Sequence, residues 1–196
     1  MFKKLFSLFC YAIMALVVGI MAFRIYTLNH YPAFAEGIVP TSTLSSSYNS
    51  GTLQGITWEP EAEFDDTGDF FIHQPVYFDN EKTLIVTVRY NNSLLEEWKH
   101  DGNGEDLELD VTLYADGTQR VHPADYSYGD AYGIYSYRRY VFEGVTLSDY
   151  EILYLDIYHG EADYNVSPYS SVSVYDSSIK TEPYKLTGAD KKALKG

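Results

Sequence analysis

From Leu5 to Phe23 the chain runs nineteen residues without a charge, and no other feature restricts its fold so strongly. A helix rises about 1.5 Å per residue, so a run of this length approaches the ~30 Å thickness of a bilayer's hydrocarbon core. Lys3 and Lys4 precede the run and Arg24 follows it. The positive-inside bias then puts the N-terminus in the cytoplasm and everything after the helix outside. A cleaved signal peptide is the competing reading, with Ala33-Phe34-Ala35 as the site before Glu36. The apolar run exceeds the usual h-region of about 7 to 15 residues, and an anchor is therefore the expectation. A lipoprotein is excluded because Phe9, not a small residue, precedes Cys10.

Four segments are expected. Residues 1–28 form the membrane anchor, and residues 29–69 a flexible spacer: Thr41 to Gly51 is almost all Ser, Thr, Asn and Gly, while Glu59 to Asp69 is acidic. Treated as a coil, such a spacer would lift a domain roughly 35 Å from the headgroups. Residues 70–177 form the folded domain, and residues 178–196 a basic, disordered tail.

The domain announces itself by a period of two. Leu84, Val86, Val88 and Tyr90 alternate with Ile85, Thr87 and Arg89, and Leu107, Leu109, Val111 and Leu113 alternate with Glu108, Asp110, Thr112 and Tyr114. Leu153, Leu155 and Ile157 alternate with Tyr154, Asp156 and Tyr158. Adjacent strand residues point to opposite faces, so each segment offers an apolar face to a core. Phe70 to Phe78, Ile134 to Val145 and Ser171 to Tyr175 add further strands, with Pro75 marking an edge or bulge because it has no N–H to donate. A short strand near Thr52 to Trp58 is expected to join them. Turns are expected at Asp79-Asn80, at Asp101 to Gly104, at Asp116-Gly117 and at Ser127 to Gly129. The fold class is all-β, an antiparallel sandwich of about seven strands. Cys10, in the apolar run, is the only cysteine, so the domain has no disulfide and is held by its core. Such cysteine-free exported domains favour a bacterial envelope.

Strand number, size and the Leu147-Ser148-Asp149-Tyr150 corner before a strand resemble the immunoglobulin and fibronectin type III superfold over residues 70–177. The Cys-Trp-Cys core of antibody domains is absent. The resemblance implies a fold and, by itself, no function.

Between Glu59 and Asp176 there are 25 acidic residues against six basic ones, a net of −19, whereas Ser177 to Gly196 is +3. A field of that sign repels nucleic-acid phosphates, so no nucleic-acid partner is expected. Asp101, Asn103 and Glu105 offer oxygens at alternating positions as a Ca²⁺ candidate, but the twelfth position of an EF-hand loop would be Thr112 rather than Glu, and a solvated turn is favoured. Tyr126, Tyr128, Tyr132, Tyr135 and Tyr137, with Tyr140 beyond them, are a candidate binding face for sugar or protein, set against the simpler use of tyrosine to fill strands. His73, His100, His122 and His159 show no metal-ligand spacing, and no nucleophile or phosphate-loop motif is present. Arg138-Arg139 is expected to serve an internal ion pair. No cofactor and no catalytic residue is expected. The functional expectation is a non-enzymatic, membrane-anchored extracytoplasmic module with an envelope protein or carbohydrate as partner. A carbohydrate-binding or sensory domain using the tyrosine face is one alternative, and an envelope hydrolase with an unfamiliar site is another.

Overall fold

A computed structural model describes residues 2–29, 32, 34–35, 37–60, 67–94, 109–115, 120–131, 134–159, 165 and 167–195. The chain forms two compact units, Met1–Ala33 and Phe34–Gly196. In the first, α1 (Phe2–Asn29) is a single helix, long and apolar enough over Lys4–Thr27 to cross a bilayer. Leu5, Phe9, Met14, Val18 and Ile25 are all exposed on it. Apolar side chains therefore surround the whole helix rather than form the one stripe of a surface helix.

The second unit is built on antiparallel strands in two open sheets. Its strands are β1 (Gly55–Thr57), β2 (Phe70–Ile72), β3 (Val76–Phe78), β4 (Thr83–Asn91), β5 (Leu109–Tyr114), β6 (Asp125–Ala131), β7 (Tyr135–Glu143), β8 (Ile152–His159), β9 (Ser170–Asp176) and β10 (Glu182–Pro183). The larger sheet runs β10-β1-β3-β4-β7-β6, with β2 also paired to β4, and the smaller runs β5-β8-β9. The described residues thus hold ten strands where about seven were expected. The excess has three sources: Pro75 divides one expected strand into β2 and β3, both paired to β4, β6 stands where a turn was expected, and β10 comes from the expected tail, while β1 is the short strand expected near Thr52 to Trp58.

One core draws on both sheets. Leu84, Val86, Val88, Tyr90, Tyr140 and Phe142 from the larger meet Val111, Leu113, Leu153, Leu155, Ile157, Val172 and Val174 from the smaller. The period of two assigned the faces of β4, β5 and β8. A second cluster lies on the other side of β4 and β7, where Ile85 and Val141 join Phe78, Ile38, Val39, Leu44 and Leu194. Every residue of β4 from Thr83 to Tyr90 is consequently buried.

That second cluster corrects the expectation of a flexible spacer and a disordered tail. Thr41 caps α2 (Ser42–Ser50) by accepting from the Leu44 amide, and Gly51, at φ 75°, closes it in the left-handed conformation that glycine adopts without strain. At the C-terminal end α3 (Gly188–Ala193) starts in a capping box between Thr187 and Asp190. The segment Ser127 to Gly129, expected as a turn, lies inside β6. There Gly129 admits the Phe34 ring, which would stand 2.5 Å from a Cβ at that position.

Leu155, fully buried between the sheets, should cost about 2–5 kcal/mol on replacement by Ala. Its half-buried neighbour Tyr154 points to the other face of β8, and Tyr154→Ala should cost about 1 kcal/mol. Denaturant midpoints of the two variants check the contrast, and equal losses would refute the facing assignment.

Candidate functional site

Strands β6 and β7 pair Tyr126 with Tyr140, Tyr128 with Arg138, Gly129 with Tyr137 and Ala131 with Tyr135. Because side chains alternate, this register divides the candidate tyrosines between two faces. Tyr126, Arg138 and Tyr140 share the face of Tyr90 and the inter-sheet core. Tyr135 and Tyr137 share the opposite face, where Tyr137 is only 1% exposed, its ring 5.9 Å from Phe34 and nearly perpendicular to it. Tyr132 and the side chain of Tyr128 fall outside the described residues, as do Asp101, Asn103 and Glu105.

On the core-side face Tyr126 is 51% exposed on an edge strand, and its ring lies 6.3 Å from that of Tyr140. The Arg138 guanidinium stands 5.9 Å from the Tyr126 ring, and its Nε donates to Tyr90 Oη at 3.0 Å. Burial alone would weaken the hold of Arg138 on its proton, but the oxygens of Tyr140 and Tyr90 outweigh it and raise its pKa. Burial likewise pushes the Tyr140 phenol upward, with Arg138 opposing. The cluster therefore presents a firmly protonated guanidinium, a buried phenol at Tyr140 and one exposed ring at Tyr126. It can stack and donate hydrogen bonds.

The opposite face is closed. Arg89 lies over the rings of Phe71 and Tyr135 at 4.3 and 5.0 Å. Arg139 Nε donates to Ser127 Oγ at 2.8 Å, and its Nη1 to the carbonyls of Gly37 and Ile38 at 3.3 and 3.4 Å. Asp190, 1% exposed, accepts from the amides of Ile38 and Thr187 and from Tyr184 Oη, at 2.8, 2.7 and 2.9 Å. The N-terminal segment is thereby tied to α3. Arg138, expected with Arg139 to serve an internal ion pair, donates to a phenol, and Arg139 donates to a hydroxyl and two carbonyls with the Asp190 charge nearby.

A third polar group occupies the outer face of the smaller sheet. Arg120 pairs with Asp156 and stands 4.5 Å from the Tyr114 ring, while Ser171 Oγ donates to Asp156 at 2.6 Å. Arg120 also explains why Asp156, on the face expected to meet solvent, is 3% exposed. Its charge is matched within the cluster, which marks it as structural.

His73 sits half-buried beside Arg89 and Glu59. Burial first, and then the Arg89 charge, lower its pKa from 6.5 to about 4. Between those values the unfolded chain holds a proton that the folded one does not, so stability should fall as pH drops from about 6.5 to about 4. The loss assigned to His73 is about 2 kcal/mol after allowance for its partial exposure. The unfolding free energy of the parent should fall more steeply than that of His73→Gln as pH drops across that window, and parallel curves would refute the assignment.

Among the described residues no group of three or more His, Cys, Asp or Glu is arranged to hold a metal ion. No protein family, curated protein or solved structure matches the chain.

Proposed function

We propose that this chain is a membrane-anchored, extracytoplasmic interaction module of a bacterial cell envelope, non-enzymatic, which meets its partner through the Tyr126–Arg138 edge of its larger sheet. The observation that carries this reading is the exposed Tyr126 ring on an edge strand, backed by a half-buried guanidinium whose proton is firmly held. Rigid aromatics beside arginine give large contact area at small entropic cost, the composition enriched at protein interfaces. Two open antiparallel sheets over a shared core are in keeping with an immunoglobulin-like sandwich, a superfold that hosts many binding functions without naming a ligand.

The length and apolar surround of α1 support anchoring, and the lysines before it support an outward domain. Cleavage before Glu36 would remove Phe34 and Ala35, of which Ala35 is buried and Phe34 packs on Tyr137. Retention of the helix is the reading that leaves this packing intact.

A photo-crosslinking phenylalanine placed at Tyr126 in the intact chain, in cells, tests the proposal. Adducts from position 126 and none from position 154 are expected. A protein adduct supports the leading reading, and an adduct sensitive to glycan hydrolases supports a carbohydrate ligand stacked on the ring. Adducts at 154 alone would overturn the edge assignment. A reporter fused after Gly196 should be active only outside the cytoplasm, and cytoplasmic activity would overturn the orientation.

A further inference from the structure

Charge in the folded unit is unevenly divided along the chain. Residues 34–58 and 184–196, from which Ile38, Val39, Leu44 and Leu194 pack on the outer side of β4 and β7, carry Lys185, Lys191, Lys192 and Lys195 against Glu36 and Asp190, a net of +2. Residues 59–183 carry 26 acids against seven basic residues, a net of −19. Within α3 the acid and the apolar residue point inward: Asp190 binds Ile38 and Tyr184, and Leu194 joins the second cluster. Lys191, Lys192 and Lys195 are left exposed, as is Lys185 just before the helix. None of the four pairs with a described acid.

The tether to the membrane segment is short. Helix α1 ends at Asn29 and the folded unit begins at Phe34, so five Cα steps separate them. Fully extended, they reach about 17 Å. Ile38, four residues further on, is bonded directly to α3. The roughly 35 Å of coil expected from composition is not available, because most of that segment is part of the fold.

We infer that Lys185, Lys191, Lys192 and Lys195 form a docking face for anionic phospholipid headgroups, which holds this side of the domain against the membrane surface. This rests on the anchoring reading above. Lys and Arg side chains held near a membrane surface are attracted to anionic lipid through their summed charge, in whichever leaflet that lipid lies. The attraction decays within a Debye length, about 8 Å at physiological ionic strength, so it acts only where a short tether keeps the face close. Lipid, rather than a soluble polyanion, is the occupant favoured, because the covalent tether sets its local concentration.

The test uses the full chain, with Cys10→Ser, reconstituted into vesicles of phosphatidylcholine alone or with about one third phosphatidylglycerol. An environment-sensitive fluorophore is attached at Ala189→Cys on α3 or, as a control, at Ser148→Cys in the turn after β7; both positions are exposed. Headgroup-labelled quencher lipid reports proximity. Quenching at 189 should roughly double in the anionic vesicles, with no change at 148. The increase should vanish at about 0.5 M salt and in the variant with all four lysines changed to Gln, whose circular dichroism should match the parent. Equal quenching at 189 in both vesicles, or equal gains at 189 and 148, would overturn the docking face. Failure of the chain to float with neutral vesicles would overturn the anchor itself, and the docking face with it.

Discussion

Replacing Trp58 with Ala should destabilise the folded unit by about 3–5 kcal/mol, at the upper end of large-to-small core changes. Trp58 follows β1 at the margin of the larger sheet, yet its Nε1 donates to the carbonyl of Val174 on β9 of the smaller sheet at 2.7 Å. Its ring lies 5.4 Å from Tyr175 at a steep angle, and it belongs to the core shared by both sheets. The substitution removes a large apolar surface and leaves the Val174 carbonyl without its donor. Trp58→Phe keeps most of the surface and should cost about 1–3 kcal/mol, chiefly the lost hydrogen bond. Chemical denaturation of the two variants separates packing from polar contributions. A loss below about 1 kcal/mol for Trp58→Ala would mean that residues 52–58 are a separable spacer after all.

Asp190→Ala should cost about 3–5 kcal/mol, the range for breaking a buried charged network by removing one member. Three donors lose their acceptor, and the nearby charge of Arg139, already desolvated, loses its compensation. The damage should be local. The layer of residues 37–53 and 184–195 should become sensitive to protease while β4 and β7 keep the inter-sheet core. Gly37→Ala attacks the same junction from the other side: its Cβ would stand 2.2 Å from Asp190 Oδ1, and Gly37 holds φ 88°. Digestion patterns of both variants should coincide, and an unchanged pattern for Asp190→Ala would show that the carboxylate does not hold the layer.

The sequence disclosed the sheet core more fully than its margins. On β4, alternation of Leu84, Val86, Val88 and Tyr90 located the shared core, because one strand face meeting one apolar layer leaves a period of two in the residues. The same period led to a solvated opposite face for β8, but Asp156 is covered by Arg120, a partner distant in sequence and therefore invisible to local pattern. Residues 41–51 read as coil because they are almost all Ser, Thr, Asn and Gly. Their folding signals were sparse but present: Leu44 and Tyr48 lie four apart on α2, between the capping Thr41 and Gly51. Thr187 and Asp190 likewise carry the spacing of a capping box. Strand β6 was missed because Ser127 and Gly129 resemble a turn, and only the approach of Phe34 explains a glycine within that strand. Of the candidate tyrosines, Tyr126, Tyr135 and Tyr137 fall on β6 and β7, and their division between two faces follows from a register that composition does not encode.

Hydrogen exchange of the intact chain in a bilayer tests most directly whether the folded domain begins within a few residues of the end of α1. The amides of Ile38, bonded to Asp190, and of Tyr184, bonded to the Gly55 carbonyl, should be protected together with β1 and should open as one unit. Helix α1 should exchange more slowly still, shielded by lipid. Exchange at unfolded-chain rates from Ile38 through Thr57 would contradict this account, since that segment would then be a long spacer, free to lift the domain away from the headgroups.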